Sequence, residues 1–186
     1  MVGNLCLVKL PDELLEHSDA IDALRTINRV RWVVGDMIGR QVEQQEGIPF
    51  EWFEVLIVLA DTPEEALRIG DLASLTLRSK SAMTRLADRI EDAGLVQRDS
   101  CDTDRRVIFV ALTDEGRALI ERVKPPAARI MIERFTSHIT PQDARFITAA
   151  LTRVLTANGV DLESGIRRDP GEPAGVAASR ERERVS

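Results

Sequence analysis

Apolar side chains recur at helical spacing across residues 20–46: Ile21, Leu24, Ile27, Val30 or Arg31, Val34, Met37/Ile38 and Val42. A period near 3.6 places them on one stripe, so the spacing predicts a long amphipathic helix closed by Gly47 and Pro49. The denser run FEWFEVLIVLA, 50–60, predicts a second and more buried helix, with Pro63 just beyond it. LRIGDLASLT, 67–76, reads as a short helix with Asp71 near its first turn. Ser79 is placed to cap a further helix from Lys80 to Ala93, because its hydroxyl accepts an orphan backbone N–H. Gly94 stands where a helix end calls for positive φ.

There the period changes. LVQRD, 95–99, and RVIFVAL, 106–112, predict two strands joined by a short polar turn, a β-hairpin with Arg105 and Arg106 at its mouth. Thr113 caps the next helix, and Asp114 and Glu115 complement its first turn. Its apolar positions run through Leu119, Val123, Ala127, Ile130 and Arg134/Phe135, and Pro125-Pro126 is expected to kink or break it. TPQD, 140–143, is a strong helix start, followed by Phe146, Ile147, Ala150, Leu151, Val154 and Leu155. From 159 to 186 the chain turns to Gly, Pro, Ser, Arg and Glu, too few apolar groups to offset the entropy of ordering, so a disordered tail is expected.

Composition narrows the function. The chain has 186 residues, enough for one domain with a real core. No apolar run approaches the length of a membrane span, and MVGNLCLVKLPDELLEHSD lacks the pattern of a secretory signal. Two cysteines, Cys6 and Cys101, make no disulfide framework, so a reduced, cytoplasmic setting is expected. The net charge of −6 speaks against a nucleic-acid partner until its distribution is considered. Between 78 and 89 stand Arg78, Lys80, Arg85 and Arg89 against a single acid, Asp88.

Two consecutive short helices followed at once by a hairpin make a winged helix-turn-helix, in which the second helix enters the major groove and the hairpin reaches flanking DNA. Ser79, Ser81, Ala82 and Thr84 are small enough for a close backbone approach, while Arg78, Lys80, Arg85 and Arg89 supply donors. Met83, Leu86, Ala87, Ile90 and Leu95 form the apolar face opposite. Arg105 and Arg106 on a protruding tip suit the narrow, negative minor groove.

The segment IGDLASLTLRSKSAMTRLADRIEDAGLVQRDSCDTDRRVIFVALTDEGRAL, 69–119, resembles the MarR family of bacterial transcriptional regulators. The resemblance implies a homodimer interlocked by its terminal helices on a pseudo-palindromic operator. It also implies recognition contacts at Lys80, Ser81, Thr84 and Arg85, and wing residues at Asp104, Arg105 and Arg106, with Asp104 orienting a neighbouring arginine. The expected fold is mainly α with a small β-hairpin, a winged helix-turn-helix domain plus a helical dimerisation region. Residues 1–19 are an N-terminal extension, 20–158 the MarR-like domain, 50–112 its winged part, 20–46 and 115–158 the dimerisation helices, and 159–186 the tail. The expected function is a cytoplasmic repressor binding double-stranded DNA, released by a small effector.

Each of these residues also admits a plainer role. A basic helix is often only a solvated face, and Arg89, beside Asp88, Glu91 and Asp92, suits internal i,i+3 and i,i+4 pairing. Some members of the family sense peroxide by pairing an N-terminal cysteine with tyrosines. This chain has no tyrosine, so Cys6 and Cys101 read better as incidental thiols than as a redox switch. His17 and His138 are too few for a zinc site. Trp32, Trp52 and Phe53 are either plain core or the lining of a cleft for a small aromatic effector. No nucleophile elbow, phosphate loop or ligand cluster suggests an enzyme, a metal or a cofactor. The alternative functions are a winged-helix module that binds a protein and a redox-responsive regulator.

Overall fold

The computed structural model describes residues 17–100 and 107–161. Helix α1 spans Ser18–Glu46 and stops at Gly47, whose φ of 70° is left-handed. Helix α2, Phe50–Ala60, contributes the buried Phe53, Val55, Leu56 and Leu59 to the core. Helix α3, Ile69–Leu75, and helix α4, Lys80–Asp92, follow as a helix-turn-helix. Strands β2, Val96–Ser100, and β3, Ile108–Leu112, pair antiparallel with Arg98 opposite Val110. Helix α5, Asp114–Arg134, runs back along α1, and a 3-10 turn at Thr136–His138 leads to helix α6, Pro141–Ala157. No helix among the described residues is long and apolar enough to cross a membrane.

The caps match the sequence. Ser79 Oγ accepts the Ala82 N–H at 3.2 Å, and Thr113 Oγ1 accepts that of Gly116 at 3.0 Å. At α6, Thr140 Oγ1 accepts from the Asp143 N–H while Asp143 Oδ2 accepts from the Thr140 N–H, a reciprocal capping box. Gly116 is buried for a second reason: a Cβ there would lie 2.1 Å from the Leu95 carbonyl oxygen. Its absence lets the start of α5 close against the chain entering β2.

Two expectations need correction. The segment 67–76 is not all helix: Ala66–Arg68 forms strand β1, the edge of a three-stranded sheet of order β1-β3-β2. Ala66 pairs with Ala111 and Arg68 with Phe109, and the Leu112 N–H donates to the Glu65 carbonyl at 3.0 Å. Three residues are too few to carry a period of two, so only the exposed edge of β3 calls this strand into being.

Nor do Pro125 and Pro126 interrupt α5, which runs through them. Proline withholds its donor from the carbonyl four residues earlier, here Glu121 and Arg122. Gln45 Nε2 at the end of α1 donates to the Arg122 carbonyl at 3.3 Å and replaces one of those donors. Glu121 is exposed, so water reaches the other. The same turn is braced by the Arg122 guanidinium, which grips Glu46, with Nη2 at 2.8 Å from Oε2. That contact holds the Glu46 carboxyl below its ordinary range.

Candidate nucleic-acid interface

Helix α4 divides cleanly. Met83, Leu86, Ala87 and Ile90 are buried against the other helices, while Lys80, Ser81 and Arg85 are exposed and Thr84 is half-exposed. The Thr84 hydroxyl donates to the Lys80 carbonyl at 2.9 Å, which spends its proton locally and leaves its lone pairs facing out. The Ser79 and Ser81 hydroxyls lie 3.2 Å apart beside the helix start.

The basic residues around α4 fall into two groups. Arg78 is mostly buried, and its Nη2 donates to Glu54 Oε2 at 2.9 Å. The other oxygen of Glu54 accepts from Arg31 of α1 at 3.2 Å, so one carboxylate joins α1, α2 and the entry to α4. Arg78, expected among the DNA contacts, is therefore engaged inside the protein. Its Nε is buried without a hydrogen-bond partner among the described residues. Arg89 pairs across to Glu51 of α2 at 2.7 Å rather than along its own helix. Lys80 and Arg85, by contrast, make no ion pair among the described residues.

One structural residue escaped the sequence reading. Arg98, in β2, donates through Nε to Glu91 Oε2 at 2.6 Å and through Nη1 to Asp88, while its N–H donates to Glu91 Oε1 at 3.0 Å. The Glu91 contact comes first among the causes that raise Arg98 above the ordinary guanidinium value. The clamp fixes the root of the hairpin to the last turns of α4. Its sequence signal is an arginine in GLVQR following acids at 88 and 91.

Among the described residues no group of three or more His, Cys, Asp or Glu is placed to hold a metal. The MarR family model matches residues 46–107. The HTH-type transcriptional repressor MdtR of Bacillus subtilis is 34% identical over 120 residues, covering 62% of this chain and 75% of the relative. The chain belongs to the MarR family. AbsC, a MarR family transcriptional regulator from Streptomyces coelicolor, is 27% identical with a TM-score of 0.67, covering 80% of this chain and 95% of AbsC. A second Streptomyces coelicolor member, solved in complex with DNA, shares the fold at 24% identity and a TM-score of 0.66, covering 82% of this chain and 91% of that one.

As a MarR-family transcriptional regulator the chain also places its aromatic residues. Phe53 belongs to the core and stacks on Phe50, ring centroids 6.0 Å apart, so the core reading holds for it. Trp32 is 71% exposed on α1. Trp52 packs against the core from α2, and its indole N–H is buried with no partner among the described residues. The three therefore do not share one environment. Asp104, Arg105, Arg106, Cys6 and Cys101 lie outside the described residues, as does most of the tail.

Proposed function

We propose that this chain is a homodimeric repressor that lays α4 in the major groove of a pseudo-palindromic operator. The observation that carries the reading is the sorting of charge around α4. Of the five basic residues from Arg78 to Arg98, three are neutralised by Glu54, Glu51, Glu91 and Asp88. Lys80 and Arg85, on the exposed face, are left for an external anion. Neutralising phosphates releases condensed counterions, which is how such a face gains affinity for a duplex. Ser81 and Thr84 complete the proposed groove-facing set, and Arg105 and Arg106 are proposed to extend it to flanking DNA, with Asp104 as the partner of a neighbouring arginine. Arg78 sets the entry of α4 through Glu54.

Self-association is supported by apolar side chains that the single chain leaves uncovered. On α6 no residue is buried, and Phe146 is 66% exposed. Leu24, Trp32 and Val33 of α1 and Ile132 of α5 are exposed as well. A second copy covering these faces brings two α4 helices to one duplex. The relative MdtR is a repressor by name, which favours repression here. A small aromatic effector completes the proposal, with Trp52 and its unsatisfied N–H as the residue to follow in a Trp32→Phe background by fluorescence.

The test is an anisotropy titration of operator and scrambled duplexes over a salt series. Arg85→Ala loses operator affinity by about 1–3 kcal/mol with local relaxation of base preference. The paired change Arg105→Ala with Arg106→Ala weakens all duplexes and lowers the salt slope by roughly one to two ions per subunit. Wild-type binding that is weak and indifferent to salt would turn the reading toward a protein partner.

A further inference from the structure

Among the described residues four helices end on a left-handed residue, and at one of the four that residue is not glycine. Gly47, Gly94 and Gly159 have φ of 70°, 74° and 74°, whereas the turn between α3 and α4 places Leu77 at 55°. The hydrogen bonding at Leu77 is the same in kind as at Gly94 and Gly159, whereas the Gly47 N–H makes a single bond to Glu43 O. The Leu77 N–H donates to Ser74 O at 3.2 Å and the Arg78 N–H to Ala73 O at 2.8 Å, the paired bonds of a Schellman ending. Gly94 and Leu95 repeat the pattern at the end of α4, with distances of 2.8 and 3.1 Å. In this conformation a Cβ crowds the following carbonyl, a conflict that glycine does not have.

Packing does not offset the conflict at Leu77, which is 82% exposed. Glu65 makes the contrast. It too is left-handed, at 50°, but its carboxylate takes Arg117 at 2.9 Å and its carbonyl accepts from the Leu112 N–H at 3.0 Å. Leu77 therefore holds a strained backbone and bares an isobutyl group two residues before the cap of α4. Lys80 and Ser81, three and four positions further along the chain, are exposed as well. A helix docked in the major groove meets base edges with its N-terminal end. The apolar group a duplex offers there is the C5-methyl of thymine.

We propose that Leu77 is a specificity-determining residue that covers a thymine methyl at the edge of the groove. The proposal rests on α4 being the groove-facing helix and adds to it a contact made without a hydrogen bond. Covering the methyl removes both apolar groups from water. The residue thereby reads T against C at a position that no donor or acceptor of α4 needs to touch.

The experiment uses the full chain and a duplex that the wild type selects from a randomised pool. Each thymine is replaced in turn by deoxyuridine, which removes the methyl and nothing else. The expected result is one thymine per half-site at which deoxyuridine weakens wild-type binding about fourfold, the factor that burying one methyl carries. Leu77→Gly and Leu77→Asn, both at ease in the left-handed region, then bind the two duplexes alike at the weaker level. Their urea midpoints are expected at or above that of the wild type. Variants that keep the wild-type ratio between thymine and deoxyuridine overturn the proposal. So does a fall in urea midpoint or in self-association, which would place the leucine against protein. Failure of the wild type to enrich any duplex removes the reading of α4, and this proposal with it.

Discussion

At the scale of single residues, the tightest constraint on a glycine among the described residues is at Gly116. With the Leu95 carbonyl oxygen 2.1 Å from where a Cβ would sit, no side-chain rotation relieves the clash. Gly116→Ala is expected to cost at least about 1–3 kcal/mol, as overpacking does, read as a lower urea midpoint with an unchanged slope. Arg98 makes a different demand. Its removal leaves Glu91 and Asp88 facing each other without a cation, and the β2 N–H bond to Glu91 weakens with them. Arg98→Ala is expected to lose roughly 1.5–3 kcal/mol, the range for hydrogen bonds to charged groups, with Arg98→Lys recovering part of it. Amide exchange in β2 rising ahead of that in α4 would identify the clamp as the joint between hairpin and helix. The periodicity around Arg98 made the strand legible but not this role, because pairing across elements leaves no mark on spacing along the chain.

Among the elements, α1 and α5 are joined by a contact that titrates. Glu46 has its carboxyl held below the ordinary value of 4.5, chiefly by the hydrogen bond from Arg122. A carboxylate with a depressed folded value contributes stability that is fully present above its unfolded value. That contribution is lost as pH falls through the folded one. Glu46→Gln is therefore expected to flatten the acid side of the stability profile below about pH 4.5 and to lower the plateau only modestly, since the Arg122 partner is half-exposed and solvent screens it. Asp143 shifts the same way through Thr140, so acid also loosens the start of α6. Long elements with strong caps were legible from sequence, because Ser79, Thr113, Thr140 and Gly94 act within one helical turn. Strand β1 was not, since its three residues exist through pairing with Ala111 and Phe109. The same holds for the site: the exposed row of Lys80, Ser81 and Arg85 followed from period alone. The withdrawal of Arg78 to Glu54, 24 positions earlier in the chain, did not.

For the whole molecule, the contrast between a well-buried centre and bare terminal helices sets the expectation. Phe146→Glu, on α6, is expected to leave the winged part folded while shifting sedimentation toward a single chain. Operator affinity then falls more steeply than affinity for scrambled DNA, because two linked half-sites become one. A variant that sediments and binds as the wild type would assign the α6 face to another partner.

The double proline in α5 has a mechanical meaning. A helix transmits force along its rungs, and this one lacks two of them where it leaves the winged part and heads for the terminal turn. With Gln45 bridging one gap from outside, stiffness at that point is lent by α1 rather than built into α5. Any agent that slides α1 by an ångström withdraws the loan, and the rod becomes a hinge. The direction of α5 beyond Pro126 is then set by two contacts from the end of α1, the Gln45 amide and the Glu46 carboxylate.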